Sequence, residues 1–270
     1  MIVARPLTIA EIFDRTVTLA VRRWRPIVLL ALLSAIPSVL ARAASHGQDP
    51  TGAALVVYLV CSAVVGVFIY PAFIHIFADE AEPRSVADVL SRAARDFWRS
   101  LLANLLIGTA IFVPILLLIF AVAVGYLFAH LPDAIVVGVV LGLPTLAALP
   151  MVFAILAIVY PMLILERTGP WGTLRNARRR AGRGGYVRTW LLGAAMVVAV
   201  ETPAIAISIA LDQVAKVLGG LWWLALPGMF VALMITTAVG SGLSTIAAID
   251  YRLRAEGTDL QAALEMPVPA

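Results

Sequence analysis

Six stretches of this chain, about 26–44, 53–77, 100–129, 134–165, 189–211 and 218–249, run almost without a charged side chain. Each is long enough to cross the hydrocarbon core of a bilayer, which takes about 20 residues of helix. Lipid offers no water to backbone N–H and C=O groups, so a span must satisfy them within itself, as a helix does. The pattern predicts an all-α, polytopic membrane protein of six transmembrane helices. The fourth and sixth stretches exceed what an untilted helix needs. The surplus projects into the cytoplasm or is absorbed by kinks, which Pro144, Pro150, Pro161 and the Pro227-Gly228 pair are placed to supply. Only 13% of the 270 residues are charged, against roughly a quarter in a soluble domain.

Orientation follows from the basic residues. Segments 1–25, 77–99, 166–188 and 250–270 hold 5, 4, 7 and 2 Lys or Arg, and the other loops hold only Arg42 and Lys216. Basic loops stay in the cytoplasm, so both termini are expected there, with short loops on the far side. A net charge of +4 would suggest nucleic acid in a soluble chain. In a bilayer protein the Arg excess sets topology, and nucleic acid is not expected as a partner. Cys61 is the single cysteine and lies in an apolar run, which rules out a disulfide framework. The first apolar run follows a charged, amphipathic stretch and precedes no small-residue cleavage pattern, so no cleaved signal is expected.

The loops also repeat. RPLTIAEIFDR at 5–15 and EPRSVADVLSR at 82–92 share a Pro, a hydroxyl residue, an acid, two large apolar residues and an Arg in register. In the first copy Ile9, Ile12, Phe13, Thr16, Val17, Ala20 and Trp24 share one helical face. Val86, Val89, Leu90, Ala93 and Phe97 do so in the second. Thr8-x-x-Glu11 and Ser85-x-x-Asp88 read as capping boxes, with Asp a shorter substitute for Glu. Each segment then meets an aromatic and an Arg at a span entry: Trp24-Arg25, Trp98-Arg99 and Tyr186-Val187-Arg188. A third copy opens at Gly169-Pro170 and replaces mixed charge with Arg175, Arg178, Arg179, Arg180 and Arg183, while Gly182, Gly184 and Gly185 weaken its second half as a helix. The predicted unit is an interfacial amphipathic helix plus a transmembrane hairpin, at about 6–77, 83–165 and 169–253. Together they form one domain, 1–253, followed by a short cytoplasmic tail, 254–270.

With these features the chain resembles the membrane domain associated with glycerophosphoryl diester phosphodiesterases, which also occurs alone in bacterial membrane proteins. The resemblance rests on the opening RPLTIAEIFDRTVTLAVRRW, the aromatic-Arg span entries and the closing IDYRLRAEGTDL. In the latter Asp250, Arg252, Arg254, Glu256, Gly257 and Asp259 match the family's ending, and Tyr251 stands where an aliphatic residue is usual. The resemblance implies six spans with interfacial helices in a bacterial inner membrane, and it implies little about activity.

No catalytic constellation is legible. The phosphodiesterase domain itself is missing from the sequence. His46, His75 and His130 fall on different loops or span ends, so no metal site and no cofactor are expected. Gly240-Ser241-Gly242 resembles a nucleophile motif, but no His lies at matching depth to serve as base. Close helix packing is the better reading there, as at Gly138-x-x-x-Gly142.

Glu201 is harder to place. It lies about 12 residues into the fifth span, hence about 18 Å deep at 1.5 Å per residue, followed by Thr202-Pro203. A carboxyl at that depth faces the interior and is protonated or paired. It either hydrogen-bonds Thr236 or Thr237 on the sixth span, or binds a cation or proton beside a broken helix. No second acid or Arg lies at that level, which favours the structural reading. The expectation is therefore a non-enzymatic scaffold or partner subunit. Its contacts with anionic lipid headgroups or a protein at the cytoplasmic face would come from Arg25, Arg99, Arg188 and the third-copy arginines, with Asp250–Asp259 as a second charged surface. A transporter or channel-like subunit using Glu201 is the alternative.

Overall fold

A computed structural model describes residues 6–44, 52–79, 85–106, 108–109, 131–218, 223–224 and 226–265. The side chains of 131–147, of 258–265 and of a few single positions, Glu201 among them, lie outside the described residues. Helices α1 (Ile9–Arg22), α2 (Trp24–Ala44), α3 (Gly52–Ala78) and α4 (Val86–Arg95) are followed by α5 (97–106). Next come α6 (Leu131–Glu166), α7 (Pro170–Arg183) and α8 (Tyr186–Met196). A π-helical segment, Val197–Glu201, leads into α9 (Thr202–Leu218). After α10 (Leu226–Leu233) a second π-helical segment, Met234–Val239, leads into α11 (Gly240–Glu265). No strand occurs among the described residues.

Five helical stretches are long and apolar enough to cross a bilayer: Trp24–Ala41, Leu55–Ala78, Ala148–Glu166, Tyr186–Leu211 and Leu226–Gly257. That is the composition of a multi-pass membrane protein. Most of the expected third span, 100–129, lies outside the described residues. Pro144, Pro150 and Pro161 sit inside one continuous helix, and π-geometry occurs at the two π segments. Helix α11 runs past residue 253 to Glu265.

The short helices start where their side chains can supply a cap. Thr8 Oγ1 accepts from Glu11 N at 3.2 Å and Glu11 Oε2 accepts from Thr8 N at 2.7 Å, which satisfies two orphan N–H groups reciprocally. Ser85 Oγ accepts from Asp88 N at 3.1 Å, but the shorter Asp88 carboxylate turns to Arg92 at 2.9 Å. Gly169 precedes Pro170, whose missing N–H costs nothing in the first turn. Each helix then breaks within two residues of the next, at Arg23, at Asp96 and at Gly184–Gly185. Gly185 has φ +92°, a conformation that a side chain would strain.

Packing divides α1 more finely than its sequence period does. Ile12 and Thr16 are buried, whereas Val17, Val21 and Trp24 are exposed, so the apolar side is split between the bundle and the surroundings. Helix α4 buries Val89 and Ala93, and α7 buries Thr173, Ala177 and Ala181. Helix α11 packs against α1, α3, α6 and α7. A Cβ at Gly242 would lie 2.7 Å from Thr16 Cγ2 and 2.8 Å from Phe77 Cε1, so glycine is what lets three helices meet there. Ser241 is buried and donates its hydroxyl to the Thr237 carbonyl. Gly138 and Gly142 have no described surroundings. Helices α6 and α8 approach still more closely: a Cβ at Gly193 would come within 1.8 Å of the Pro150 carbonyl oxygen.

Candidate functional site

The charged residues converge where the short helices meet the ends of the long ones. Asp250 is 0% exposed. Its Oδ1 accepts from Leu7 N at 2.6 Å, and its Oδ2 accepts from Arg188 Nη2 at 3.0 Å and Arg254 Nε at 2.9 Å. The same two guanidinium groups donate to the Leu7 carbonyl at 2.7 and 2.6 Å. Arg188 also lies 5.4 Å from the ring centroid of Tyr251, whose hydroxyl is 2.8 Å from Thr189 Oγ1. One buried acid thus ties the segment before α1 to α8 and α11. A buried charge persists only when paired and hydrogen-bonded.

Four further junctions pair charges in the same region. Arg23 is buried and donates to the carbonyls of Ile76 and Asp79 at the end of α3, where a cation meets the negative pole of the helix. Arg92 bridges Asp79 and Asp88. The hydrogen bond to Asp88, then the charges of Asp79 and Asp88, hold its guanidinium pKa above the ordinary value. Buried Asp96 joins His75 Nε2 at 3.0 Å and Arg99 at 3.1 Å, and Arg180 pairs with Glu166. His46 and His130 lie outside the described residues.

The expected contact arginines therefore separate into three groups. Arg99, Arg180 and Arg188 are engaged in ion pairs. Arg25 lies over the Trp24 ring at 5.7 Å. Arg175, Arg178, Arg179 and Arg183 are exposed on α7. The first three fall on the side opposite Thr173, Ala177 and Ala181, beside Trp171, which is 77% exposed. The expected C-terminal cluster is not one surface. Asp250 is buried, Arg254 is half-buried in the same junction, Arg252 and Glu256 form an exposed pair at 2.6 Å, and the Asp259 side chain lies outside the described residues.

A second site lies within the bundle. A cavity of about 360 Å³ separates α3, α5 and α6 from the two π segments. Its walls are mainly apolar, from Phe153, Leu156, Met196 and Val200 among others. Its polar groups come from Tyr70, Asn104, Tyr160, Thr236, Thr237 and Ser244. Thr236 and Thr237, expected at an intramembrane polar site, do line it. Glu201 follows Val200 at the end of the first π segment, and its side chain lies outside the described residues. π segments recur at functional sites because they interrupt the helical ladder. Sequence reasoning missed Arg23, Asn104 and Tyr160. Arg23 was legible only as a topology charge. Tyr160 stands in an apolar run just before Pro161, where nothing local signals its partners.

No family model, curated protein or solved structure matches this chain. Its chemistry is read from the geometry above.

Proposed function

We propose that the protein is a non-enzymatic scaffold or partner subunit in a bacterial inner membrane, with its working surface at the cytoplasmic face. In this reading it has six spans arranged as three hairpins, each entered from a short interfacial helix. Both termini are cytoplasmic. The stand-alone membrane domain that the sequence resembles suits such a role. The orientation draws on the basic loops and on the junctions that draw the segment before α1, the ends of α3 and α6, and the start of α8 toward α11 and α4. Cysteines introduced at Gln48 or Ala215 in a Cys61→Ala background should react with an impermeant thiol reagent on intact cells. Those at Arg95 or Arg179 should react only after permeabilisation. The reverse pattern would sink the orientation.

The observation that carries the functional reading is the strip Trp171, Arg175, Arg178 and Arg179. It sits on a helix whose other face is packed and whose Arg180 is fixed to Glu166. Five Arg within 175–183 exceed what orientation needs, and three of them have no ion-pair partner among the described residues. An aromatic beside clustered arginines suits a surface lying on anionic headgroups and facing an acidic partner. A photo-crosslinking residue at position 175 should yield a discrete protein adduct in cells, several-fold reduced by Arg178→Gln with Arg179→Gln, and none at exposed Val56 on α3. Lipid adducts alone at position 175 would remove the partner-subunit reading.

The cavity favours a second reading, a transporter or channel-like subunit, because two π segments meet beside it and Glu201 ends the first of them. Glu201→Gln with normal folding and loss of a proton-coupled flux would promote it.

A further inference from the structure

Five of the polar side chains that line the intrabundle cavity, Thr236, Thr237, Ser244, Asn104 and Tyr160, have a property in common: their protons are spent. Thr236 Oγ1 donates to the carbonyls of Ala232 and Leu233 at 3.1 and 3.2 Å, Thr237 Oγ1 to Leu233 at 2.5 Å, and Ser244 Oγ to Gly240 at 2.7 Å. A carbonyl can only accept, so each hydroxyl hydrogen points back into its own helix and each oxygen keeps lone pairs. Behind the facing wall, Ser100 Oγ, the partner of Tyr160, gives its one proton to the Val67 carbonyl at 2.7 Å. The Ser100–Tyr160 hydrogen bond must then be donated by Tyr160. Asn104 uses both amide hydrogens, on the Ser100 carbonyl at 2.9 Å and on Tyr160 Oη at 3.1 Å, which leaves its side-chain oxygen as an acceptor. Thr236, Thr237, Ser244 and Asn104 therefore present acceptors to the cavity.

We infer that this cavity is a binding site for a neutral lipid alcohol, a molecule with an apolar chain and a free hydroxyl that donates into the Thr236–Thr237 wall. Three features select that chemistry. The walls are mainly apolar, so an apolar body is favoured over a fully polar solute. The polar groups on Thr236, Thr237, Ser244 and Asn104 accept, so a carboxylate or phosphate, which brings only acceptors, finds none of the protons it needs there and suffers lone-pair repulsion. The volume, about 360 Å³, lies within the range of pockets that hold small molecules. The two π segments form one side of the site, and Thr236 and Thr237 belong to the second of them. This inference is independent of the scaffold reading, which concerns the α7 surface.

The test uses the full chain in phosphatidylcholine nanodiscs with three photoreactive probes of equal chain length: hexadecanol carrying a diazirine, its methyl ether, and the corresponding fatty acid. The alcohol should label residues within 153–160 or 236–244 saturably, and excess unlabelled hexadecanol should compete. The ether, which has no donor, should label about tenfold less, the effect of one or two hydrogen bonds, and so should the acid at a pH high enough to ionise it fully in the bilayer. Thr236→Val combined with Thr237→Val should bring the alcohol down to the ether's level, and Ala157→Phe, which fills the cavity, should abolish saturable labelling. Equal labelling by alcohol and ether, or no saturable labelling in either segment, overturns the assignment and leaves a water-filled cavity. So does a double Val variant that folds and labels like the parent. Should that variant not fold, the ratio of alcohol to ether on the parent chain decides alone.

Discussion

Asp250→Ala is expected to lower stability by about 3–5 kcal/mol, the usual consequence of removing one member of a buried ion pair. The substitution takes the acid from Arg188 and Arg254 and strips Leu7 N of its acceptor in a single step. Both guanidinium groups would crowd the Leu7 carbonyl with no carboxylate between them. Asp250→Asn should fall between, because the amide oxygen can still accept from Leu7 N but carries no charge. The internal control lies two residues along the same helix. Arg252 and Glu256 are about half exposed, and breaking an exposed pair costs about 0–1 kcal/mol, so Arg252→Gln should scarcely register. Thermal or denaturant unfolding of the purified protein in one detergent compares all three. If Asp250→Ala falls no further than Arg252→Gln, the junction does not hold the structure together.

Gly193→Ala should also be strongly destabilising, against the trend that helix propensity sets. Alanine ordinarily improves on glycine inside a helix by about 1 kcal/mol. Here the added carbon would sit 1.8 Å from the Pro150 carbonyl oxygen, 2.7 Å from the Pro150 carbonyl carbon and 3.1 Å from Ala154 Cβ. The first two are backbone atoms, so no rotamer change relieves the clash and α8 must move off α6. Overpacking of a tight core costs about 1–3 kcal/mol, sometimes more, which outweighs the propensity gain. At Gly172 on α7 nothing lies within 4 Å of the added carbon, and there Gly172→Ala should be neutral or stabilising. The two substitutions are chemically identical, so opposite signs in the same unfolding assay isolate the helix–helix contact. A stabilised Gly193→Ala variant would mean that α6 and α8 are not so closely packed.

The contrast between these positions shows what a sequence reveals. The helical class was legible because the length of an apolar run is a local property. So were the starts of α1 and α4, because a cap needs only four consecutive residues. Asp250 was read as part of a charged surface because its neighbours Arg252, Arg254 and Glu256 are charged. Its decisive partners are Leu7 and Arg188, which no local period connects to it. Arg23 was hidden for the same reason, its carbonyl partners lying 53 and 56 residues away. The irregularity between α8 and α9 was half legible, since Pro203 lies two residues after Glu201. Nothing in Met234–Val239 marks a π segment. The cavity exists only because these two segments meet Tyr160 and Asn104 in space.

The clasp between Leu7 and Asp250 also has a consequence in time. Its two halves are 243 residues apart in the chain, and translation at about 5–20 residues per second separates their synthesis by roughly 10–50 s. The bond from Arg23 to α3 can close early in that interval, and Arg188 can reach the Leu7 carbonyl once α8 is made, whereas the Asp250 carboxylate arrives last. Leu7 N therefore lacks its acceptor until α11 emerges from the ribosome. A chain released before that point carries an incompletely clasped amino-terminal helix, which gives a protease or chaperone a physical means of telling unfinished copies from finished ones.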